Sequence, residues 1–346
     1  MKKVLKIFLV ITLALVTALG MMACNNGSST GSGKKGISGS VVDGVYEVRK
    51  YYVEKDVTTL NLGTVIELPE GVTQIKIKKN AFAGNNTLKE VIVPSNTKEI
   101  EAGAFAKMQA LETLKLPFVG LNFNADPTYN QTGSAEEKAV DSTRTIAHLF
   151  GTEVYDKGAK VTVNYGSSTT DVYMPASLKK VVINNAKTDA YNIPMYAFNG
   201  VTLFENIELK GNIVGIGEYA FSGVGNVRTI ELPETVKTIY KGAFSNSFIK
   251  NVIIGATTNN VDIKEDAFKG CSLLNYVGKY FTDGENTKAI KNYTIDFAQI
   301  NVVTIGTNAF DLSASKIKYD ILNSTGIDLV KVFGEDHAKY ITVKNA

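Results

Sequence analysis

The 346-residue sequence has no tryptophan, two histidines and two cysteines. So little histidine leaves few groups for acid–base or metal chemistry. Neither His148 nor His337 sits in an HExxH pattern, and neither has a carboxylate or cysteine at metal-ligand spacing. Walker motifs, CxxC pairs and DxDxDG loops are absent. Charge of one sign is also missing. The formal net charge is +3, from 37 basic and 34 acidic residues, and Lys2, Lys3 and Lys6 lie in the first few residues. Without them the balance is 34 to 34, which lacks the basic footprint of a nucleic-acid binder. Two glycine motifs are weak. Gly27-Ser28-Ser29-Thr30-Gly31 matches G-x-S-x-G but follows no strand and precedes no helix. Gly215-Ile216-Gly217-Glu218-Tyr219-Ala220 matches the loose dinucleotide fingerprint with no βαβ unit around it. No catalytic residue, metal site or cofactor is assigned, and no motif selects a carboxylate pair.

Long apolar runs are scarce too. A charged start precedes one run, Ile7 to Leu19, in MKKVLKIFLVITLALVTALGMMAC. It is short for a membrane span and has the grammar of a secretory signal. Its end, Met21-Met22-Ala23-Cys24, resembles the bacterial lipobox, with Met21 where leucine is usual. The resemblance implies a signal peptide over residues 1–23 and a diacylated Cys24 as the new N-terminus. An ordinary signal peptide with a chance cysteine is the alternative. NNGSSTGSGKKG follows, so residues 24–36 read as a flexible tether between anchor and body. With Cys24 acylated, Cys271 is alone and no intramolecular disulfide staples the mature fold.

What the sequence does have is a repeat. Ala-Phe pairs end at Phe82, Phe105, Phe198, Phe221, Phe244, Phe268 and Phe310, at intervals of 23, 93, 23, 23, 24 and 42. An interval of 23 lies in the range of leucine-rich repeats. The flanks recur as well. Upstream stand Val72/Ile75, Val236/Ile239 and Val302/Ile305. Downstream stand Leu88/Val91/Val93, Leu111/Leu114/Leu116, Phe204/Ile207/Leu209, Val227/Ile230/Leu232 and Ile249/Val252/Ile254. The alternation predicts a short strand with two side chains inward and one outward. Pro69, Pro94, Pro117 and Pro233 stop such strands, because proline donates to no ladder. The Phe is an apolar plug, the Ala before it lets coils approach, and Gly103, Gly217 and Gly242 ease the turn. No single coil buries its own apolar face, so the series specifies a solenoid.

VRTIELPETVKTIYKGAFSNSFIKNVII follows the pattern of BspA-like, or Treponema-type, leucine-rich repeats of bacterial surface proteins, which the chain resembles over roughly 62–117 and 172–321. DAFKGCSLLNYV carries the cysteine of that pattern, which implies that Cys271 is a packed core residue. The expected fold is mainly β: a leucine-rich-repeat solenoid of about 23-residue coils over residues 37–346. Strands in 37–61 cap the first coil, and 322–346 form a degenerate coil or cap. The period lapses over 118–175, read as an enlarged repeat with Phe150 in the place of the plug, and again over 277–301.

Outward strand positions form columns across neighbouring coils. One runs Glu67, Ile92, Lys115, Val182, Glu208, Glu231, Ile253, and the one before it Glu90, Thr113, Lys180, Asn206, Thr229, Asn251. The candidate binding face is therefore Glu90, Ile92, Thr113, Lys115, Asn206, Glu208, Thr229, Glu231, Asn251 and Ile253. Glu208 and Glu231 are expected side by side, either awaiting a cationic or hydroxyl-rich partner or serving as solvated edge charges. Tyr155, Tyr165 and Tyr173 make the insertion a second candidate face, since tyrosine presents an apolar ring with a polar tip. With the lipobox-like end implying a lipid-anchored, extracytoplasmic protein and no catalytic set in the sequence, the chain is read as a binding module and not an enzyme, and the family resemblance implies adhesion. Its partner would be a host or neighbouring-cell surface or matrix protein, or a glycan. A solute-binding lipoprotein of a transporter, and an envelope enzyme with its site in 118–175, are the alternatives.

Overall fold

The computed structural model describes residues 36–54, 56–123, 142–165, 168–255, 261–279, 281–282, 288–289, 293–296, 302–311, 319–322 and 328–344. All lie in one compact unit, Lys35–Ala346. The leader, Cys24, the tether up to residue 35 and the 27–31 motif fall outside the described residues, as do the side chains of Tyr165 and His337.

The unit is mainly β, with few and short helices, wound into a solenoid of about nine turns at about 25-residue spacing. Each coil contributes a strand to a front ladder, and most contribute a second to a back ladder. In front, Thr59–Asn61, Glu90–Ile92, Thr113–Leu116, Lys180–Asn185 and Asn206–Gly211 pair in parallel. A second front sheet runs through Thr229–Leu232, Asn251–Ile254, Tyr276–Gly278, Thr294–Asp296, Tyr319–Leu322 and Ile341–Lys344. Behind lie Gln74–Ile77 with Thr97–Ile100, then Tyr191–Ile193, Ile213–Ile216, Thr238–Ile239, Val261–Ile263 and Val302–Ile305. The hairpin Gly36–Val42/Val45–Tyr52 adds to Gln74–Ile77 at the N-terminal end. Its Asp43-Gly44 turn has both residues at positive φ, which suits the twist of a tight hairpin.

Strand register explains the recurring apolar flanks. Leu60, Val91, Leu114, Val181 and Ile207 stand opposite one another in successive coils, all buried. Between the ladders runs an aromatic spine. Phe198, Phe221, Phe244, Phe268 and Phe310 stack with centroids 4.8–5.3 Å apart, close to the spacing of neighbouring strands. Phe82 and Phe105 stack likewise, and Tyr51 and Phe333 close the two runs. The alanine before each ring is fully buried, and within each run its carbonyl accepts from the amide of the preceding ring residue, as in Phe221 N to Ala243 O at 2.7 Å. Val332-Phe333, on the helix Leu329–Phe333, stand in this register, because Phe310 N donates to Val332 O.

The turn needs two left-handed residues per coil. The residue two before each Ala-Phe ring is left-handed at Asn80, Gly103, Tyr196, Tyr219, Gly242, Asp266 and Asn308. The residue two after it is so at Gly84, Lys107, Gly200, Gly223, Asn246 and Gly270. Gly103 and Gly242 thus ease the turn through φ, whereas Gly217 has another reason. A Cβ there would lie 2.4 Å from Ile193 O of the preceding coil. Gly215 is packed as closely, against the Asn192 side chain, so coil contact accounts for both glycines of the fingerprint-like segment.

Within 118–175, Phe105 N donates to Leu149 O, which sets Leu149-Phe150 in the Ala-Phe register. Ile146 N then donates to Ala197 O, so the link to the next coil passes through Ile146. The hairpin Gly158–Tyr165/Ser168–Pro175 turns Val161, Val163, Val172 and Met174 into the core. A Cβ on Gly200 would meet Thr162 O at 2.5 Å, so the hairpin lies against the Ala-Phe turn of the following coil.

Several expected placements need correction. The first front strand is Thr59–Asn61, so Asn61 occupies the column assigned to Glu67, which follows the short helix Leu62–Val65. Val182 and Ile253 stand outside the core cluster yet are only 4% and 3% exposed, so neither offers an open contact. Glu208 and Glu231 lie on neighbouring strands, Asn206–Gly211 and Thr229–Leu232, but these belong to different sheets, so no ladder register joins them.

Candidate functional site

The outer face of the front ladder gathers most of the residues singled out from the sequence. Glu90, Thr113, Lys180 and Asn206 stand in one row, and Ile92, Lys115, Val182 and Glu208 in another. Beyond the sheet break, Thr229 pairs in register with Asn251, and Glu231 with Ile253.

Charges on this face join along diagonals between coils. Glu90 meets Lys115 of the next coil at 2.8 Å. Glu208 meets Lys180 of the previous coil, and Lys210 at 2.7 Å. Hydrogen bonds from Lys180 and then Lys210 hold the Glu208 carboxyl down at about 2, outweighing the cost of partial burial. Glu208 is therefore already neutralised within its own sheet. In the row just before the strands the pairs run straight across, with Lys89 on Glu112 at 2.9 Å and Lys179 on Glu205 at 3.5 Å. The diagonal pairs Glu90–Lys115 and Lys180–Glu208 are within reach of long side chains, which alternation along one column does not reveal.

An amide row continues past the break. Asn251 Nδ2 donates to Thr229 Oγ1 at 3.0 Å, and Asn275 Nδ2 donates to Asn251 Oδ1 at 3.2 Å. On the outer side of this second sheet Tyr276, Thr294 and Asp296 are buried, and Tyr276 Oη donates to Lys279 O. The open part of the front face therefore narrows toward the C-terminal coils.

The sequence did not disclose a charged cluster on the back ladder. Lys76 lies 3.0 Å from Glu99 and 3.2 Å from Glu101, Lys78 bridges Glu101 and Glu47, and Arg49 joins Glu47. Burial raises the Glu101 pKa, but hydrogen bonds from Lys78, the Lys79 amide and Lys76 outweigh it and hold the carboxyl at about 2. The signal lay in the alternation of Glu47, Lys76, Lys78, Glu99 and Glu101 at strand positions, which becomes visible once the back register is known.

The three insertion tyrosines do not form one patch. Tyr155 packs its ring on Gly158, and its hydroxyl is buried. Tyr173 stands opposite Lys160 near the hairpin base, while Tyr165 pairs with Ser168 at the tip. Five residues of strand separate the two pairs, about 17 Å at the usual rise per residue. The exposed hairpin face carries Lys160, Thr162 and Asp171, with Asp171 accepting from Thr162 Oγ1 at 2.7 Å and pairing with Lys160 Nζ at 2.7 Å.

His148 serves the fold: its Nε2 lies 3.2 Å from Ile100 O, and its carbonyl accepts from Gly103 N. Cys271 is buried in the core, and its thiol donates to Phe244 O at 2.9 Å. Burial pushes that thiol up to about 11, far from a nucleophile at neutral pH. Among the described residues no group of three or more His, Cys, Asp or Glu is placed to hold a metal ion, and no helix is long and apolar enough to cross a membrane.

No curated protein matches the chain. Among solved structures, a leucine rich cell surface protein from Faecalibacterium prausnitzii A2-165 is similar at 13% identity, covering 86% of this chain and 72% of that one, with a TM-score of 0.33. A leucine-rich repeat protein from Bacteroides ovatus ATCC 8483 is similar at 14% identity, covering 90% and 99%, with a TM-score of 0.22. A family model described as BspA type leucine rich repeat region matches in six copies over residues 59–132 and 169–294, more than half of the chain. The match agrees with the repeat unit, the buried Ala-Phe spine and the parallel strand ladders, and the chain belongs to the BspA-type leucine-rich-repeat family.

Proposed function

We propose that the protein is a lipid-anchored, extracytoplasmic binding module that holds a protein or glycan of a host or neighbouring cell, in an adhesion role. The observation that carries this reading is the register of the front ladder. Glu90, Thr113, Lys180 and Asn206 repeat one strand position over four coils. Each coil thus offers a side chain about 4.8 Å from the last, a lattice suited to an extended partner. Anchoring is supported by the apolar leader, the lipobox-like Met21-Met22-Ala23-Cys24 and the Gly/Ser/Asn tether after it. The transporter reading calls for two lobes around a hinge, whereas the buried core forms one cluster from Val48 to Phe333.

Metabolic labelling with palmitate tests the anchor. The wild type is expected to take up label and to partition with membranes, and Cys24→Ala to do neither. Label in the Cys24→Ala protein would contradict this attachment site. Capture from host and bacterial surface extracts tests the module. Retained surface protein or glycan supports the reading, whereas blank capture alongside a large thermal shift with a small solute overturns it.

A further inference from the structure

In the row before the front strands, cations alternate with carboxylates until the sheet breaks. Lys89 pairs with Glu112 and Lys179 with Glu205, but next come two cations in successive coils, Arg228 and Lys250. Neither meets a carboxylate among the described residues. Both are exposed, and the Lys250 amide donates to the Arg228 carbonyl at 2.8 Å, so the two residues are ladder neighbours. Like charges at such spacing oppose each other.

The same place carries two other departures. Phe248 is 46% exposed and Leu273 39%. Each stands two residues before a rung that joins their coils, Asn275 N to Lys250 O, and Arg228 Nη1 donates to Phe248 O at 3.1 Å. Cations and apolar side chains therefore form one contiguous patch. The ladder hydrogen bonds also lapse here. The Glu205 and Asn206 amides donate to Lys179 O, those of Lys250 and Asn251 to Arg228 O, and those of Asn275 and Tyr276 to Lys250 O. The equivalent bonds from Arg228 and Thr229 to Glu205 O are not made, and the sheet divides at this point.

We propose that Arg228, Lys250, Phe248 and Leu273 form a docking site for an acidic peptide segment of a partner protein. Carboxylates of the segment meet the guanidinium and the ammonium, and an apolar side chain covers Phe248 and Leu273. A sulfated polysaccharide would satisfy the cations but bring no apolar side chain, so the peptide fits the patch better. The proposal rests on the binding-module reading and assigns it a site and a ligand class.

The test is an array of short peptides that vary acidic content and the presence of one Phe or Leu, probed with the intact protein, Arg228→Glu/Lys250→Glu and Phe248→Ser/Leu273→Ser. Sulfated dextran is a separate arm. All four side chains are exposed, and equal thermal midpoints establish that the variants fold; Arg228→Gln/Lys250→Gln provides a milder pair. Binding is expected to require both acid and apolar residue, to weaken as salt rises, and to fall roughly tenfold or more in either double variant. Acidic peptides that bind no better than neutral ones, variants that bind as wild type does, or binding of sulfated dextran alone would each overturn the proposal. Equal capture of surface extract by wild type and Arg228→Glu/Lys250→Glu would overturn this site and leave the module reading standing. Blank capture by both would overturn the module reading itself.

Discussion

The spine phenylalanines illustrate how one residue serves two coils. Phe244 is fully buried and stacks on Phe221 at 5.3 Å and on Phe268 at 5.1 Å. Phe244→Ala leaves a cavity open to both neighbours and is expected to cost about 4 kcal/mol in denaturant unfolding. A cost under about 1 kcal/mol would place the ring outside the core. Cys271 gives a pH-dependent prediction. Its folded pKa, near 11, lies above the free thiol value of about 8.5. The associated stability is therefore fully present below about pH 8.5 and is lost as pH rises through about 11. At pH 8 the native thiol should resist iodoacetamide and react after unfolding in guanidinium. Rapid native alkylation would show that it is open to solvent. The core role of Cys271 was legible from its place after Ala-Phe. The left-handed turn positions were legible only in part, because Tyr196, Tyr219 and Lys107 fill places that glycine usually marks.

At the scale of elements, sequence period located the strands but not what crosses between them. Alternation identified Val182 and Ile253 as outward, which they are relative to the core, yet it gave no sign that neighbours bury them. Diagonal pairs such as Glu90–Lys115 need the register first. The sheet break after Asn206–Gly211 had no signal in the repeat, because the Phe198–Phe221 stack continues past it at 5.1 Å. Two measurements follow. Hydrogen exchange should be faster at the Arg228 and Thr229 amides than at those of Lys250 and Asn251, which are bonded to the preceding coil. Equal protection would mean that the ladder is continuous. Glu208 has a folded pKa near 2, below the usual carboxylate value of about 4.3, through Lys180 and Lys210. Its contribution is present above about pH 4.3 and is lost as pH falls through about 2. Glu208→Gln should therefore flatten the acid limb of the stability profile between those values, and an unchanged limb would contradict the pairing.

For the whole molecule, the repeat made the solenoid legible because coils that cannot bury their own apolar faces must stack. What it left open was whether the stack survives the interval from Phe105 to Phe198. The structure closes that interval in front, where Thr113–Leu116 pairs directly with Lys180–Asn185. Thr113 and Lys180, 67 positions apart in sequence, face each other in register. The most direct test is a disulfide between Thr113→Cys and Lys180→Cys, since neighbouring strands hold such Cα atoms within bonding range. A continuous stack predicts ready crosslinking under mild oxidation, with little from the control Thr113→Cys/Val181→Cys, whose second cysteine points into the core. No crosslink in the first pair, or an equal yield in both, would contradict a stack that runs unbroken past the insertion.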